Sequence, residues 1–401
     1  SYAGPEPDAG RWINNGAFIN NTFPQNPVSI GVATLDGING NGIPYDTISF
    51  NYNSIDTADT ITSVPILLEG LVAGDSLYFS FFYQAGGNGD EPNTESFNLF
   101  NYGVPYGDSL VLEFKDETGS WHHIWSHDGD SSKPFKQVMI PIKDTIYFHD
   151  DFQFRFWNYA TVAGNFDQWH IDYVQLNKNR NAADTLINDV AIQYYPTSLL
   201  KNYQSMPWKQ FAGYQKKEKA PQHLLTAVNN WPDAGGKNVA RQFISSFKNP
   251  PSTIFTSGVS SININPLFSV VFQLDSFPIP IITADTITIA TKYIIVPPNE
   301  IDPHYNDTVN RDQVFSNYMA YDDGSAEAIY RLQGTPASLA LAFHVNETDT
   351  LRGIEIHFAN TDVDISQNLF LLLVWSALND ADTLYRDDFL KPKYATELNG
   401  F

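Results

Sequence analysis

The sequence lacks cysteine altogether, and no apolar run approaches the roughly 20 residues that would cross a bilayer. Without cysteine, disulfide bonds and thiol catalysis are excluded, so each domain must be held together by its buried core. Basic residues are also few, since 23 Lys and Arg stand against 45 Asp and Glu, a formal charge of −22. A field of that sign repels phosphate backbones and anionic lipids. We therefore predict no nucleic-acid partner and no transmembrane segment.

Recognisable catalytic motifs are missing as well. The sequence contains no G-x-S-x-G elbow, H-E-x-x-H pair, P-loop or Gly-rich dinucleotide loop. Carboxylates are abundant but scattered, whereas a glycosidase needs two carboxyl groups about 5–10 Å apart across a cleft. We predict that the chain is not an enzyme. A hydrolase with an unrecognised carboxylate pair is the weaker alternative.

Aromatic side chains and period-two alternation are what the sequence has in quantity. Phe, Tyr and Trp make up 14% of the chain, and such residues favour strands. Clusters rich in Gly, Asn and Asp separate the alternating segments, as turns separate the strands of β-sandwiches. The pattern predicts an all-β fold of tandem β-sandwich modules. The clearest alternating segments are residues 77–83, 110–115, 152–157 and 287–291.

Three modules are predicted along the chain. The first is a jelly-roll β-sandwich at residues 1–178, and a polar stretch at 177–183 reads as a linker. The second is an immunoglobulin-like β-sandwich at 184–312, with about seven strands. The third, at 316–401, has predicted strands at 338–343, 351–358 and 369–375, too few to close a sandwich. We expect the chain, which begins at Ser1 without a signal peptide, to be a piece of a longer protein.

Several runs of sequence resemble a known family. Those at 16–42, 108–125 and 152–176 resemble the N-terminal jelly-roll domain of large Bacteroidota surface proteins exported by the type IX secretion system. Those at 189–211, 305–332 and 349–358 resemble the modules that follow, and residues 227–239 resemble adhesion-type immunoglobulin-like domains. The family's C-terminal sorting domain and first strand have no counterpart here.

The resemblance implies where the protein works and with what. It implies an extracellular protein at the cell surface, associated with the outer membrane, that meets the type IX secretion machinery during export. Outer-membrane proteins, surface proteins and glycans are the implied partners. The main hypothesis is a non-catalytic structural or adhesive protein. The alternative is a carbohydrate-binding region of a larger secreted hydrolase.

Exposed aromatic rings could bind sugar, because a flat ring on a rigid sheet face provides a stacking surface. The candidates are Trp157, Tyr159 and Trp169, and Trp157 alternates with the phenylalanines of its segment. The competing interpretation is that these rings fill a large sandwich core.

Calcium is the metal that the resemblance implies, because similar jelly rolls hold a structural calcium ion beside their first and last strands. Asp167 and Asp172 match best and Asp36 matches less well, although Asp172 could equally cap a turn or form a buried hydrogen bond. The acidic runs at 128–130 and 322–327 are further metal candidates, but their composition is also that of ordinary turns. The neighbouring His122, His123 and His127 favour aromatic packing over metal binding, because adjacent strand residues point to opposite faces.

Asp followed by Thr or Ser and an aliphatic residue recurs along the chain. Physically this suits a strand start, since Asp ends a turn and a β-branched residue leads into the strand. The same tripeptide resembles the O-glycosylation acceptor of exported Bacteroidota proteins, in which only exposed copies can be modified. The candidate acceptors are Thr47, Thr60, Ser76, Thr145, Thr185, Thr286, Thr308, Thr350 and Thr383.

Overall fold

Within the described residues, the fold is built from antiparallel strands joined by turns and short helices, which confirms the predicted all-β class. The structure is a computed structural model. Within the part of the chain that it describes, no helix is long and apolar enough to cross a membrane. The described residues are 4–48, 54–93, 107–131, 133–232, 235–298, 304–325, 330, 332, 334, 337–359, 364–377 and 380–396.

The first module contains strands β1 to β9 in two facing sheets. One sheet has the order β1-β2-β9-β4-β7, and the other has the order β3-β8-β5-β6. The strands are β1 (Phe18–Asn20), β2 (Val32–Leu35), β3 (Ile55–Thr62), β4 (Leu77–Ala85), β5 (Ser109–Lys115), β6 (Trp121–Asp128), β7 (Lys136–Ile142), β8 (Phe154–Thr161) and β9 (Trp169–Asn177).

Phenylalanine rings fill the space between these two sheets. Phe79 and Phe81 of β4 meet Phe154 and Phe156 of β8, with ring centroids 4.7 and 4.8 Å apart for the closest pairs. All four rings are buried because they stand on the inward face of strands that alternate with period two. Edge-to-face contacts of this kind add about 0.5–1.5 kcal/mol each beyond the burial of area.

The second module contains strands β10 to β17, again in two sheets. One has the order β10-β11-β15, and the other has the order β13-β12-β16-β17, with β14 also paired to β12. Strand β17 crosses residue 312, the predicted end of this module. The elements are β10 (Val190–Tyr194), α1 (Trp208–Ala212), α2 (Gln215–Glu218), β11 (Gln222–Asn229), β12 (Lys237–Lys248), β13 (Pro251–Thr256), β14 (Ser260–Ile264), β15 (Phe268–Asp275), β16 (Ile287–Val296) and β17 (Thr308–Phe315).

A loop of the first module, residues 26–30, is seated on the second module, and we call it the joint loop. The side chain of Ile30 belongs to the hydrophobic core of the second module. The backbone N–H of Asn26 donates to Tyr194 Oη at 2.9 Å. Two side-chain amides, those of Gln193 and Asn230, donate to backbone carbonyls of the loop at 2.9 Å. Buried apolar contact and hydrogen bonds therefore connect the two modules directly.

The third region has one described ladder, β18 (Phe370–Ala377) paired antiparallel with β19 (Asp380–Leu390). The predicted strands at 338–343 and 351–358 are wrong, since these described residues form no strand. Alternation alone does not make a strand, because the backbone groups need a neighbouring strand to pair with. The connection between these two segments contacts α1, where Lys209 Nζ lies 2.8 Å from Asp349 Oδ1.

Candidate functional site

An aromatic row lies on the outer side of the four-stranded sheet of the first module. Along β8 the even-numbered residues 154 and 156 point into the core, so the odd-numbered Arg155, Trp157 and Tyr159 point outward and are half-buried. Strand β8 is paired on both sides, with β3 and with β5, so its backbone is held in place. The row therefore stands on a rigid part of the sheet.

A charged pair and a third ring complete this surface. The guanidinium of Arg155 lies over the ring of Trp121, 4.4 Å from its centroid, and Arg155 Nε lies 2.5 Å from Glu113 Oε2. Stacking and the ion pair fix the position of the Trp121 ring. We call the surface formed by Glu113, Trp121, Arg155, Trp157 and Tyr159 the aromatic face. It offers flat rings next to groups that donate and accept hydrogen bonds.

The prediction that Trp169 stacks on a sugar is wrong. Its side chain is fully buried, with its ring centroid 6.3 Å from that of Tyr83 and 6.1 Å from that of His127. Strand β9 lies in the middle of the five-stranded sheet, and Trp169 stands on its inward face. The competing interpretation, core packing, holds for this residue.

The three aspartates predicted for calcium do not come together as one set of ligands. All three are buried, but each has its own donors: Asp36 accepts from the N–H of Ile38, Asp167 from that of Thr161, and Asp172 from Ser29. Within the described ranges, no group of three or more His, Asp or Glu side chains is arranged to hold a metal ion. These three side chains do not fit a single calcium site.

Asp172 forms the buried hydrogen bond that was the alternative to calcium. It accepts from the backbone N–H of Ser29 at 2.8 Å and from the Ser29 hydroxyl at 2.9 Å, and so it anchors the joint loop. Burial raises the pKa of Asp172 to about 6, although the bonds from Ser29 oppose this shift.

The other predicted metal candidates also form local contacts. Asp130 pairs with Lys136 at 2.6 Å, and Asp322 accepts from the N–H of Gly324 as in an ordinary turn. Glu327 lies outside the described residues. His122 contacts Asp116, whose pKa this bond lowers, while the ring of His127 packs on Tyr83 with centroids 5.0 Å apart.

Sequence reasoning missed a pair of buried carboxyl groups between β2 and β3. Asp59 Oδ2 accepts from the backbone N–H of Asp36 at 3.0 Å, and Asp59 Oδ1 accepts from the Tyr45 hydroxyl at 2.8 Å. Burial raises the pKa of Asp36 to about 7, and burial together with the charge of Asp36 raises the pKa of Asp59 well above its usual range. In the sequence, Asp59 is only one of the recurring aspartates that precede a Thr, and nothing local marks its pairing with Asp36, 23 residues earlier in the chain.

A second buried carboxyl group lies near the start of β5. Burial, then the charge of Asp167, raise the pKa of Asp108 to about 8. Asp108 Oδ2 accepts from the N–H of Asn93 at 2.8 Å, while its Oδ1 is buried without a partner among the described residues. Burial at this position therefore favours the protonated form of Asp108.

The predicted O-glycosylation acceptors differ in exposure. Thr60 and Thr308 are half-buried within strands β3 and β17, where a glycan would compete with neighbouring side chains. The remaining seven side chains are exposed, namely Thr47, Ser76, Thr145, Thr185, Thr286, Thr350 and Thr383.

Comparison with known proteins gives weak similarities. No family model and no curated protein matches the sequence.

Among solved structures, β-glucuronidase 2 of Bacteroides uniformis is 9% identical with a TM-score of 0.26, over 68% of this chain and 28% of that one. The Endo-D glycoside hydrolase domain of Streptococcus pneumoniae R6 is 6% identical with a TM-score of 0.25, over 76% and 36%. An N-terminal tandem CBM22 domain from Paenibacillus barcinonensis is 6% identical with a TM-score of 0.17, over 67% and 85%. The chain thus spans less than half the length of the hydrolases it is compared with.

Proposed function

We propose that this protein is a non-catalytic, adhesive surface protein whose first module binds carbohydrate through the aromatic face. The observation that carries the proposal is the outward row of Trp157 and Tyr159 on the central strand β8. Ring and sugar faces stack without a change in the sheet, and residues two apart on a strand are about 7 Å apart. Glu113 and Arg155 supply acceptors and donors beside the rings.

The chemistry of the carboxyl groups supports a binding role over catalysis. Asp36 and Asp59 are 3% exposed and lie beneath Tyr45, and Asp108 is 1% exposed, so none of them reaches a substrate on the aromatic face. Glu113, the carboxylate on that face, is neutralised by Arg155. A glycosidase requires a second carboxyl group across the substrate.

The proposed place of work is the extracellular cell surface, reached through type IX secretion. The resemblance at residues 16–42, 108–125 and 152–176 supports this part of the proposal. A formal charge of −22 suits a solvated surface protein, because it limits self-association.

Replacing Trp157 by Ala is expected to weaken glycan binding at least tenfold, because the replacement removes the central ring of the row. Tyr159→Ala is expected to act in the same direction and more weakly, since its ring is smaller. The measurement is a glycan array followed by affinity electrophoresis of the two variants and the unchanged chain on the polysaccharides that bind.

Tyr318→Ala is the matched control, because Tyr318 is a half-exposed aromatic residue outside the first module. Its binding should equal that of the unchanged chain. Binding that survives the loss of both Trp157 and Tyr159 would remove the aromatic face as the site, and an array without any saturable binding would remove the carbohydrate role.

A spacer role is the second candidate, and the joint loop favours it. Ile30 sits in the core of the second module, and Gln193 and Asn230 donate hydrogen bonds to the carbonyl groups of Pro27 and Val28, which precede it in the loop. A connection with a buried side chain resists bending more than a polar linker does. The two roles are compatible, since a rigid spacer presents a binding face away from the cell.

Native protein is expected to carry glycan on at least one of the seven exposed acceptors, because only these leave room for a sugar on the hydroxyl oxygen. Intact-mass measurement of protein purified from its own cells should show a mass above that of the bare sequence, located by peptide mapping. A mass equal to that of the sequence, or modification confined to Thr60, would contradict this.

A further inference from the structure

An open groove of about 410 Å³ runs along the edge of β3 that faces the N-terminal segment, next to the aromatic face. Its size falls within the range of small-ligand sites. We call it the asparagine groove, because amide side chains dominate its walls. The residues that line it are Asn14, Asn15, Gly16, Asn39, Gly40, Asn41, Tyr45, Ala58 and Thr60.

Two of the amides hold the groove together, and two are available to a ligand. Asn14 donates to Thr60 O at 3.0 Å and accepts from the N–H of Thr62 at 2.9 Å, which ties the N-terminal segment to β3. Asn39 Oδ1 accepts from the N–H of Asn41 at 2.9 Å and so shapes the opposite wall. The exposed side-chain amides of Asn15 and Asn41 have no hydrogen-bond partner among the described residues.

The ring of Tyr45 forms a fixed apolar part of the wall. It is 42% exposed, and its hydroxyl donates to the buried Asp59 at 2.8 Å, so the ring cannot turn away from the groove. Within the described part of the chain, no side chain that lines the groove carries a charge. Amides that both donate and accept, next to a held ring, suit a neutral polyhydroxylated ligand. An acidic ligand would meet the negative field of the protein without a cation to offset it.

The groove is continuous with the aromatic face through one residue pair. Thr60 lines the groove and lies directly opposite Trp157 in the β3–β8 ladder, so the two side chains stand on the same side of the sheet. We propose that the asparagine groove binds a neutral sugar residue of the same oligosaccharide that stacks on Trp157. Asn15 and Asn41 would hydrogen-bond its hydroxyl groups. This inference rests on the proposed function and extends it to a ligand class.

The test measures binding of neutral and acidic oligosaccharides by calorimetry. The probes are cellohexaose, xylohexaose and mannohexaose as the neutral set, and trigalacturonic acid as the acidic one. At least one neutral hexasaccharide should bind, and trigalacturonic acid should not. Asn15→Ala and Asn41→Ala should each weaken that binding about tenfold, the effect of one lost hydrogen bond. Both residues are exposed, and the matched control Asn317→Ala, an exposed asparagine of the β17 end, should leave binding unchanged.

The outcomes separate this inference from the proposed function. Binding lost in Trp157→Ala but unchanged in both asparagine variants overturns the groove and leaves the aromatic face as the site. Binding weakened in the asparagine variants but unchanged in Trp157→Ala keeps the groove and overturns the aromatic face. Preference for trigalacturonic acid overturns the neutral ligand class, and the absence of binding by every probe overturns the groove. An unfolding midpoint well above the assay temperature for each variant shows that loss of the fold does not cause the effect.

Discussion

Asp36→Asn is expected to make the protein more stable than the unchanged chain at pH 8 and to have little effect at pH 4. Asp36 is fully buried, and burial raises its pKa to about 7. A raised carboxyl pKa gives stability that is present below the unfolded pKa near 4 and is lost as pH rises to 7. Because the pKa of Asp36 rises from near 4 to about 7 on folding, ionisation of Asp36 lowers the free energy of unfolding by roughly 4 kcal/mol at pH 8. The amide of Asn keeps the acceptor for the N–H of Ile38 and has no proton to lose.

The measurement is the difference in free energy of unfolding between variant and unchanged chain, from urea denaturation at pH 4, 6 and 8. Burial lowers the pKa values of His170 and His223 to about 4, so these two residues make the fold less stable at low pH. Both proteins share this effect, and it cancels when the two free energies are subtracted. Asp150→Asn, at an exposed position, is the control and should change the free energy by less than about 0.5 kcal/mol. A difference that stays constant from pH 4 to pH 8 would show that Asp36 is ionised in the fold.

Trp169→Ala is expected to lower the free energy of unfolding by about 3–5 kcal/mol, the cost of removing a large ring from a packed core. Trp169 is fully buried against Tyr83 and His127, so its loss leaves a cavity between the two sheets. Denaturant unfolding followed by tryptophan fluorescence and by circular dichroism measures this change.

Trp157→Ala is the paired variant, because Trp157 is half-buried on the outer side of the same module. Its loss of stability should be smaller, about 1–2 kcal/mol, while its glycan binding falls. A Trp169→Ala protein with unchanged stability and lost glycan binding would reverse the two assignments.

The period-two pattern was enough to predict the strands with the strongest alternation. Residues 77–83 and 110–115 lie within β4 and β5, because alternating apolar side chains can be buried only on one face of a pleated strand. The same rule failed at 338–343 and 351–358, which alternate but form no strand in the described part of the chain. The boundaries of the three modules stay predictions.

Composition and alternation alone were enough to recognise an all-β protein without cysteine, strongly acidic and rich in aromatic residues. Alternation also fixed which residues share a face of each strand. Which of the two faces is covered depends on how the sheets pack, and this packing places Trp169 in the core and Trp157 on the surface. The folded structure also places Asp36 within hydrogen-bond distance of Asp59 and Thr60 opposite Trp157. Strand pairing joins residues that are far apart in the chain, so the sequence around one residue does not identify the residue that it pairs with.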